Sequence, residues 1–107
     1  MHTINRAYIK VTPTQLFWQE LNPFIIDQEF KDFHEPTLYL IEEDFWDDEE
    51  IIKKYMSKII QHELSQISYQ ALDVIQISTI EKFKSFFNLE IGNTVVDCLK
   101  TPINPSL

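Results

Sequence analysis

The sequence predicts a single α+β domain, in which a small mixed or antiparallel sheet of three to four strands has two to three helices packed on one face. Three patterns support this prediction. Apolar and other residues alternate over residues 6–11, the run Leu38–Ile41 is apolar at every position, and apolar residues recur at three-four spacing from Ile51 to Ile67. A two-residue period or a short apolar run indicates a strand, whereas three-four spacing indicates a helix.

The first helix is expected to follow directly after the first strand, which residues 6–11 form. Thr12 is the predicted N-cap, Pro13 suits the first helical position, and Gln15 can complete a capping box. The helix is predicted to end near Leu21, because an Asn-Pro pair follows and the residue before a proline disfavours helical geometry.

The next segment leaves two alternatives open. Residues 24–26 predict either a short edge strand or a hydrophobic plug, and residues 27–33 predict one helical turn or two. Phe30 and Phe33 have the spacing to fix such a turn to the core. The apolar run Leu38–Ile41 is typical of a strand that is covered on both faces, so we place it in the middle of the sheet.

The longest helix is predicted to begin near Ile51, where apolar residues sustain three-four spacing for more than four turns. Either Asp47 or Asp48 is its expected N-cap. Two acid-base pairs at i,i+4 spacing should support its first turns. These pairs are Glu49 with Lys53 and Glu50 with Lys54.

The C-terminal third predicts one further helix and an interrupted strand. Residues 65–78 show neither period, so they extend the long helix, form a second helix or make a packed loop. Thr79 or the serine before it can cap the next helix, and Asn88 suits a left-handed helix stop. Residues 89–99 predict a strand that breaks at Gly92-Asn93, either as a bulge or as a hairpin turn.

Length and charge restrict the classes of protein to consider. The 107 residues suffice for one core, which we assign to residues 1–101, with residues 102–107 as a tail. A net charge of -8 disfavours nucleic acid and favours basic partners. No stretch is apolar for the ~20 residues that a membrane span needs. A lone cysteine, Cys98, suits a reducing compartment, so we expect a cytoplasmic protein in which Cys98 is buried in the last strand.

Several chemistries lack the residues that they require. The only glycine is Gly92, so a glycine-rich phosphate loop is excluded. His62-Glu63 resembles the start of a zinc-protease helix motif, but Gln66 stands where the second histidine ligand must be. We therefore expect His62 to be a solvated helix residue. The other histidines and the cysteine have no recognised metal spacing, and neither a metal nor a cofactor is predicted.

The strongest functional candidate is an acidic-aromatic patch between the apolar run and the long helix. It consists of Glu42, Glu43, Asp44, Phe45, Trp46, Asp47 and Asp48. Helix capping and a hydrophobic staple at the helix entry are the simplest explanation for these residues. Among functional explanations, docking of a basic protein leads. A calcium loop lacks its spacing and glycine, and acid-base catalysis lacks a second group and a pocket.

The leading hypothesis is therefore a non-enzymatic protein that binds a basic macromolecule, as an immunity or inhibitor protein does when it covers a cationic toxin. A rival is a small metal-dependent hydrolase whose groups converge from separate elements, namely Asp97, His34 and the acids near Asp44. A third hypothesis is a homo-oligomeric structural protein.

Several segments together resemble a family of small uncharacterised bacterial proteins. They are Ala7-Tyr8-Ile9-Lys10-Val11 with Pro13 and Phe17, Glu35-Pro36-Thr37-Leu38-Tyr39-Leu40-Ile41 with the acids and long helix that follow, Phe83-Lys84-Ser85-Phe86-Phe87-Asn88-Leu89-Glu90-Ile91, and Val95-Val96-Asp97. The resemblance spans most of the chain. It implies a free-standing bacterial cytoplasmic domain, and it brings no activity, cofactor or catalytic residue.

Overall fold

A computed structural model describes residues 1–99 and confirms the α+β class. The strands in this part are β1 (His2–Ile4), β2 (Ala7–Pro13), β3 (Thr37–Ile41), β4 (Phe87–Gly92) and β5 (Val95–Asp97). The helices are α1 (Gln15–Leu21), α2 (Gln28–Asp32), α3 (Asp48–Ser65), α4 (Tyr69–Val74) and α5 (Ile80–Phe86), and a 3₁₀ turn spans Asn22–Phe24. The predicted tail, residues 102–107, lies outside the described residues, as does the last part of the assigned domain.

The main sheet is antiparallel and has the order β3-β2-β4. Placing Leu38–Ile41 in the middle of the sheet was therefore wrong, because β2 is the central strand and β3 is an edge strand. Leu38 and Leu40 are each 52% exposed, on the side of the sheet opposite to buried Ile41. An apolar residue at every position does not distinguish a covered strand from an edge strand that exposes leucines, because both give the same pattern of residue types.

The small sheet of β1 and β5 continues the pairing of β2 with β4 after a break. β4 pairs with β2 and β5 pairs with β1, so Gly92-Asn93 is not a hairpin turn. Ile4 lies opposite Val95, and Tyr8 lies opposite Gly92. Residues 5–7 therefore face residues 93–94, which is the one-residue offset of a bulge.

The core lies on one face of the main sheet. Ala7, Ile9 and Val11 of β2 are fully buried, as the alternation predicts. Large rings from α1, α5 and β4 fill the space against them: Phe17 lies 5.1 Å from Phe87, centroid to centroid, at a tilted angle. Further buried residues come from α3, α4 and the same helices. They are Leu21, Ile51, Ile52, Ile59, Ile60, Leu64, Ala71, Ile80, Phe83 and Phe86.

Helix α1 begins two residues later than the sequence predicts. Thr14, and not Thr12, is the N-cap, because its side-chain oxygen accepts a hydrogen bond from the backbone N–H of Phe17 at 3.4 Å. Pro13 instead extends β2 and lies opposite Phe87. Strand pairing, which local sequence does not reveal, thus overrides a plausible capping box. The end of the helix at Leu21 is confirmed.

The segment after α1 is neither an edge strand nor two helical turns. A 3₁₀ turn covers Asn22–Phe24, and α2 is a single short helix that Asp27 caps. Phe30 packs against Trp18 at 6.2 Å between ring centroids, whereas Phe33 is 78% exposed. The prediction that Phe33 fixes this turn to the core was wrong. Helix α2 ends at Asp32, and the side chain of Phe33, which follows it, is exposed.

Residues 65–78 contain a second helix, α4, which Ser68 caps. Thr79, one of the two predicted caps, caps α5, and its side-chain oxygen accepts a hydrogen bond from the N–H of Lys82 at 3.1 Å. The predicted left-handed stop at Asn88 was wrong, since the chain passes from α5 directly into β4. No non-glycine residue of the described part has a positive φ.

Cys98 is exposed, and the expectation that it is buried in a strand was wrong. β5 ends at Asp97, whose side-chain oxygen accepts a hydrogen bond from the N–H of Leu99 at 2.9 Å. This bond turns the chain, so Cys98 lies outside the sheet. None of the helices in residues 1–99 is both long enough and apolar enough to cross a membrane.

Candidate functional site

The acidic-aromatic patch forms the loop from β3 to α3 and the first residue of α3. Both ends of this loop are anchored, because Ile41 at the end of β3 and Ile51 in the first turn of α3 are buried. The residues between them are fixed to different degrees. Of the seven patch residues, three have structural partners, and the other four are exposed without such a partner.

Asp47, one of the two N-caps that the sequence allows, caps helix α3. Its side-chain oxygen accepts a hydrogen bond from the backbone N–H of Glu49 at 3.1 Å, and its carbonyl accepts one from the N–H of Ile51. This side chain satisfies one of the amide donors that a helix start leaves without a partner. Asp47 therefore has a structural role.

Glu42 joins the end of β3 to the middle of α3. Its carboxylate accepts hydrogen bonds from the ammonium of Lys54 and the phenol of Tyr55. Lys54 first, and Tyr55 second, lower the pKa of Glu42 to about 2. The same carboxylate raises the pKa of Lys54 and of Tyr55. Glu42 is thus an ionised link between two elements and is not free for a partner.

The ion pairs of α3 differ from the two that the sequence predicts. Lys54 pairs with Glu42 in place of Glu50, and Glu49 pairs with Lys84 of α5 at 3.6 Å. Both contacts join different elements, whereas the predicted pairs lie within one helix. Tertiary packing brings these partners close, and spacing along the helix does not reveal it.

The two aromatic residues of the patch have opposite environments. Phe45 is half-buried and packs against the core, as a hydrophobic staple would, whereas Trp46 is fully exposed. A large exposed indole has no role in the packing of this domain. Only one of the two rings therefore serves the fold.

The remaining acids of the patch, Glu43, Asp44 and Asp48, are exposed. None of them forms an ion pair with another residue of the described part. Together with Trp46 they make an open group of three carboxylates and one indole at the entry to α3. This group, which we call the open patch, is the part of the predicted site that remains available to a partner.

A second cluster of polar side chains was missed by sequence reasoning. Glu63 of α3 is the one buried charged residue in the described chain, with a side chain that is 1% exposed. The phenol of Tyr39 donates a hydrogen bond to Glu63 Oε2 at 2.5 Å. Tyr39 Oη also lies 2.8 Å from Nδ1 of His62.

The Tyr39 oxygen lies between two polar partners. When its phenol donates to Glu63, the hydrogen bond with His62 uses the tautomer of His62 that carries a proton on Nδ1. Burial first, and then the hydrogen bond to Glu63, raise the pKa of Tyr39 well above its usual value. His62 is exposed, as the sequence predicts, with a side chain that is 51% exposed, and it also contacts Tyr39. One signal was visible in the sequence: Glu63 lies four residues after Ile59, within the apolar stripe of α3.

A scan against protein-family models finds no match, and searches of curated proteins and of solved structures find no significant relative.

The groups of the hydrolase hypothesis have separate surroundings. Asp97 Oδ2 lies 3.8 Å from Nε2 of His2. His34 packs against Trp18 and Phe30, with ring centroids 5.3 Å and 5.2 Å away, and its Nε2 is buried without a hydrogen bond to a described residue. Neither Asp97 nor His34 makes a hydrogen bond or ion pair with Asp44. Within residues 1–99, no three His, Cys, Asp or Glu side chains are grouped so that they could hold a metal ion.

Proposed function

We propose that this chain is a non-enzymatic binding module that docks a basic protein through its open patch, in the manner of an immunity or inhibitor protein. The single observation that supports this function is the environment of Trp46. Its indole is fully exposed beside carboxylates that have no ion pair in the described part.

Protein interfaces favour particular residue types at their centres. Tryptophan is enriched among the residues that contribute most to protein interfaces, where its ring enters a pocket of the partner. Nearby carboxylates attract a cationic surface before contact and reject acidic ones. Glu43, Asp44 and Asp48 are placed to do this around Trp46, and the net charge of -8 has the same sign as the patch. Ring and charge therefore favour the same kind of partner.

Helix capping accounts for only part of the acidic-aromatic patch. Asp47 caps α3, Glu42 joins β3 to α3, and Phe45 packs on the core. These three residues need no partner to explain them. The open patch lacks such an explanation, so the proposal rests on its members alone.

We further propose a bacterial source and a cytoplasmic location for this protein. The resemblance of the chain to small bacterial proteins, together with the lone cysteine, supports a cytoplasmic bacterial domain. Direct binding of nucleic acid is disfavoured, because a charge of -8 repels phosphate groups.

The test is capture of proteins from a soluble extract of the native cell by the immobilised chain, with identification by mass spectrometry. Wild type and a Glu43→Gln/Asp44→Asn/Trp46→Ala variant are compared at about 50 mM and about 500 mM salt, because salt shortens the distance over which exposed charges attract each other. We expect wild type to retain a basic protein at low salt and to release most of it at high salt. The variant should retain at least about tenfold less, since hot-spot residues contribute more than 1 kcal/mol each.

A matched control separates the patch from total charge. Glu20→Gln/Asp73→Asn removes two exposed carboxylates from α1 and α4 and should leave capture unchanged. Both variants should melt within a few degrees of wild type, because the altered residues are exposed. Equal retention by wild type and the patch variant, or equal loss in the control, would refute docking through the open patch.

A further inference from the structure

We infer that the basic partner binds by adding an extended segment as a new strand on the free edge of β3. This inference rests on the proposed function and specifies how the partner is held. It combines three features of β3, namely an unpaired edge, two exposed leucines and flanking acids.

The first feature is the edge itself. Thr37–Ile41 pairs with β2 on one side only. None of the backbone hydrogen bonds outside the sheets and helices of residues 1–99 involves these five residues. An edge strand presents amide and carbonyl groups at the spacing of a β-ladder, so it is a template for a further strand.

The second feature is the exposure of Leu38 and Leu40. Their side chains lie on the open face of the sheet, next to Lys10 and Tyr8 of β2. A strand added beside β3 would place its own side chains against these leucines at alternate positions. An incoming segment with apolar residues at every second position therefore fits this face.

The third feature is charge at both ends of the strand. Glu35 precedes β3, and Glu43 and Asp44 follow it. All three are exposed, and none pairs with a base of the described part. A segment with lysine or arginine on either side of its apolar residues would neutralise these carboxylates, so a basic segment complements the whole edge.

The same charges disfavour a second copy of this chain as the occupant. Antiparallel pairing of β3 with itself, centred on Tyr39, would place Glu35 of each copy opposite Glu43 of the other. Like charges directly opposite each other in a sheet are destabilising. A basic segment makes no such contact, so the edge fits a different molecule.

The test uses a defined peptide in place of the partner. The peptide has about nine residues, enough to pair with β3 and reach both acidic ends, with alternating valine and threonine in the centre and two lysines at each end. A matched peptide carries N-methyl groups on its central amides, which blocks strand pairing without changing charge. We expect the unmethylated peptide to bind at low salt at least tenfold more tightly. It should also slow hydrogen exchange at the amides of Thr37–Ile41.

A pair of chain variants provides the second arm. Leu38→Thr/Leu40→Thr keeps strand propensity and charge but removes the exposed leucines, and should weaken binding of the peptide at least fivefold. Val74→Thr/Val96→Thr removes two exposed aliphatic side chains from α4 and β5 and should bind as wild type does. Hydrogen exchange of each free variant shows whether β3 remains paired with β2.

Four outcomes would overturn the inference. They are equal affinity for the two peptides, absence of binding at low salt, slowed exchange at β4 in place of β3, and self-association of the chain that Leu38→Thr/Leu40→Thr abolishes. The captured partner separates this inference from the proposed function. If the partner is lost with the open-patch variant but retained by Leu38→Thr/Leu40→Thr, docking stands and strand addition fails. If no basic protein is captured, the proposed function fails, and the peptide result alone decides whether the edge accepts a strand.

Discussion

The phenol of Tyr39 donates a 2.5 Å hydrogen bond to the buried carboxylate of Glu63 and so ties the edge strand β3 to helix α3. Tyr39→Phe removes the donor but keeps the ring, leaving a buried carboxylate short of a hydrogen bond. A buried group that loses its partner costs about 1–3 kcal/mol, and more when it is charged. We therefore expect the free energy of unfolding to fall by about 2 kcal/mol, measured by urea denaturation.

The control for this bond is Tyr69→Phe, which removes the same atom from a ring that is 79% exposed. It should change stability by less than about 0.5 kcal/mol. Glu63→Gln should cost less than Tyr39→Phe, because a glutamine can still accept the hydrogen bond from Tyr39. Equal effects of the two tyrosine variants would show that the bond to Glu63 contributes nothing.

Tyr39 also predicts a loss of stability at alkaline pH. Its pKa is raised above the usual 10.0, so the folded state favours the neutral phenol. This contribution is complete below about pH 10 and is lost as the pH rises above that value, because the unfolded chain ionises first. Tyr39→Phe should therefore make the decline of stability with pH less steep. The pKa of Tyr55 is also raised, so Tyr55 adds to the same decline. An unchanged slope of stability against pH in Tyr39→Phe/Tyr55→Phe would contradict the assignment.

The lowered pKa of Glu42 predicts a loss of stability at acidic pH. Its pKa falls from 4.5 to about 2 in the folded chain, so its contribution is present above about pH 4.5 and is lost as the pH falls to about 2. Glu42→Gln should reduce the loss of stability over this interval. Glu43→Gln, which changes an exposed neighbour, should leave the profile as in wild type. Urea denaturation at successive pH values measures both.

The cap of α3 gives a local prediction. Asp47→Ala removes the acceptor for the N–H of Glu49 and should cost about 1 kcal/mol, the usual value for an N-cap. Asp48→Ala removes only a charge near the helix N-terminus and should cost a few tenths of a kcal/mol. Thermal unfolding of the two variants measures the difference. A larger loss of stability in Asp48→Ala than in Asp47→Ala would show that Asp48, and not Asp47, is the N-cap.

Gly92 and Tyr8 are predicted to be coupled. A Cβ on Gly92 would lie 2.2 Å from the ring of Tyr8, so Gly92→Ala must displace that ring and should cost about 1 kcal/mol. The backbone of Gly92 does not have a positive φ. In a Tyr8→Ala background the same substitution should therefore be neutral or stabilising by about 0.5 kcal/mol, because alanine restricts the unfolded chain. Equal costs in the two backgrounds would contradict the contact.

The candidate site was only partly predictable from sequence. Asp47 was one of two predicted N-caps, because an N-cap depends on the few residues around it. The partners of Glu42 were not, since Lys54 and Tyr55 are brought to it by the path of the loop and the packing of α3. The cluster of Tyr39, His62 and Glu63 was missed for the same reason, because β3 and α3 meet only in the folded chain.

The sequence by itself determined the α+β class, the buried alternation of β2 and the long helix α3, and it restricted the caps of α3 and α5 to two adjacent residues each. These features depend on residues within about one helical turn or a few strand positions of each other, where periodicity and capping act. Tertiary structure alone decided that β3 lies at the sheet edge and that Glu63 is buried beneath Tyr39. It also decided that Trp46 is exposed while Phe45 packs on the core. Burial is set by which elements meet in space, and residues of similar type are then covered or exposed according to that packing.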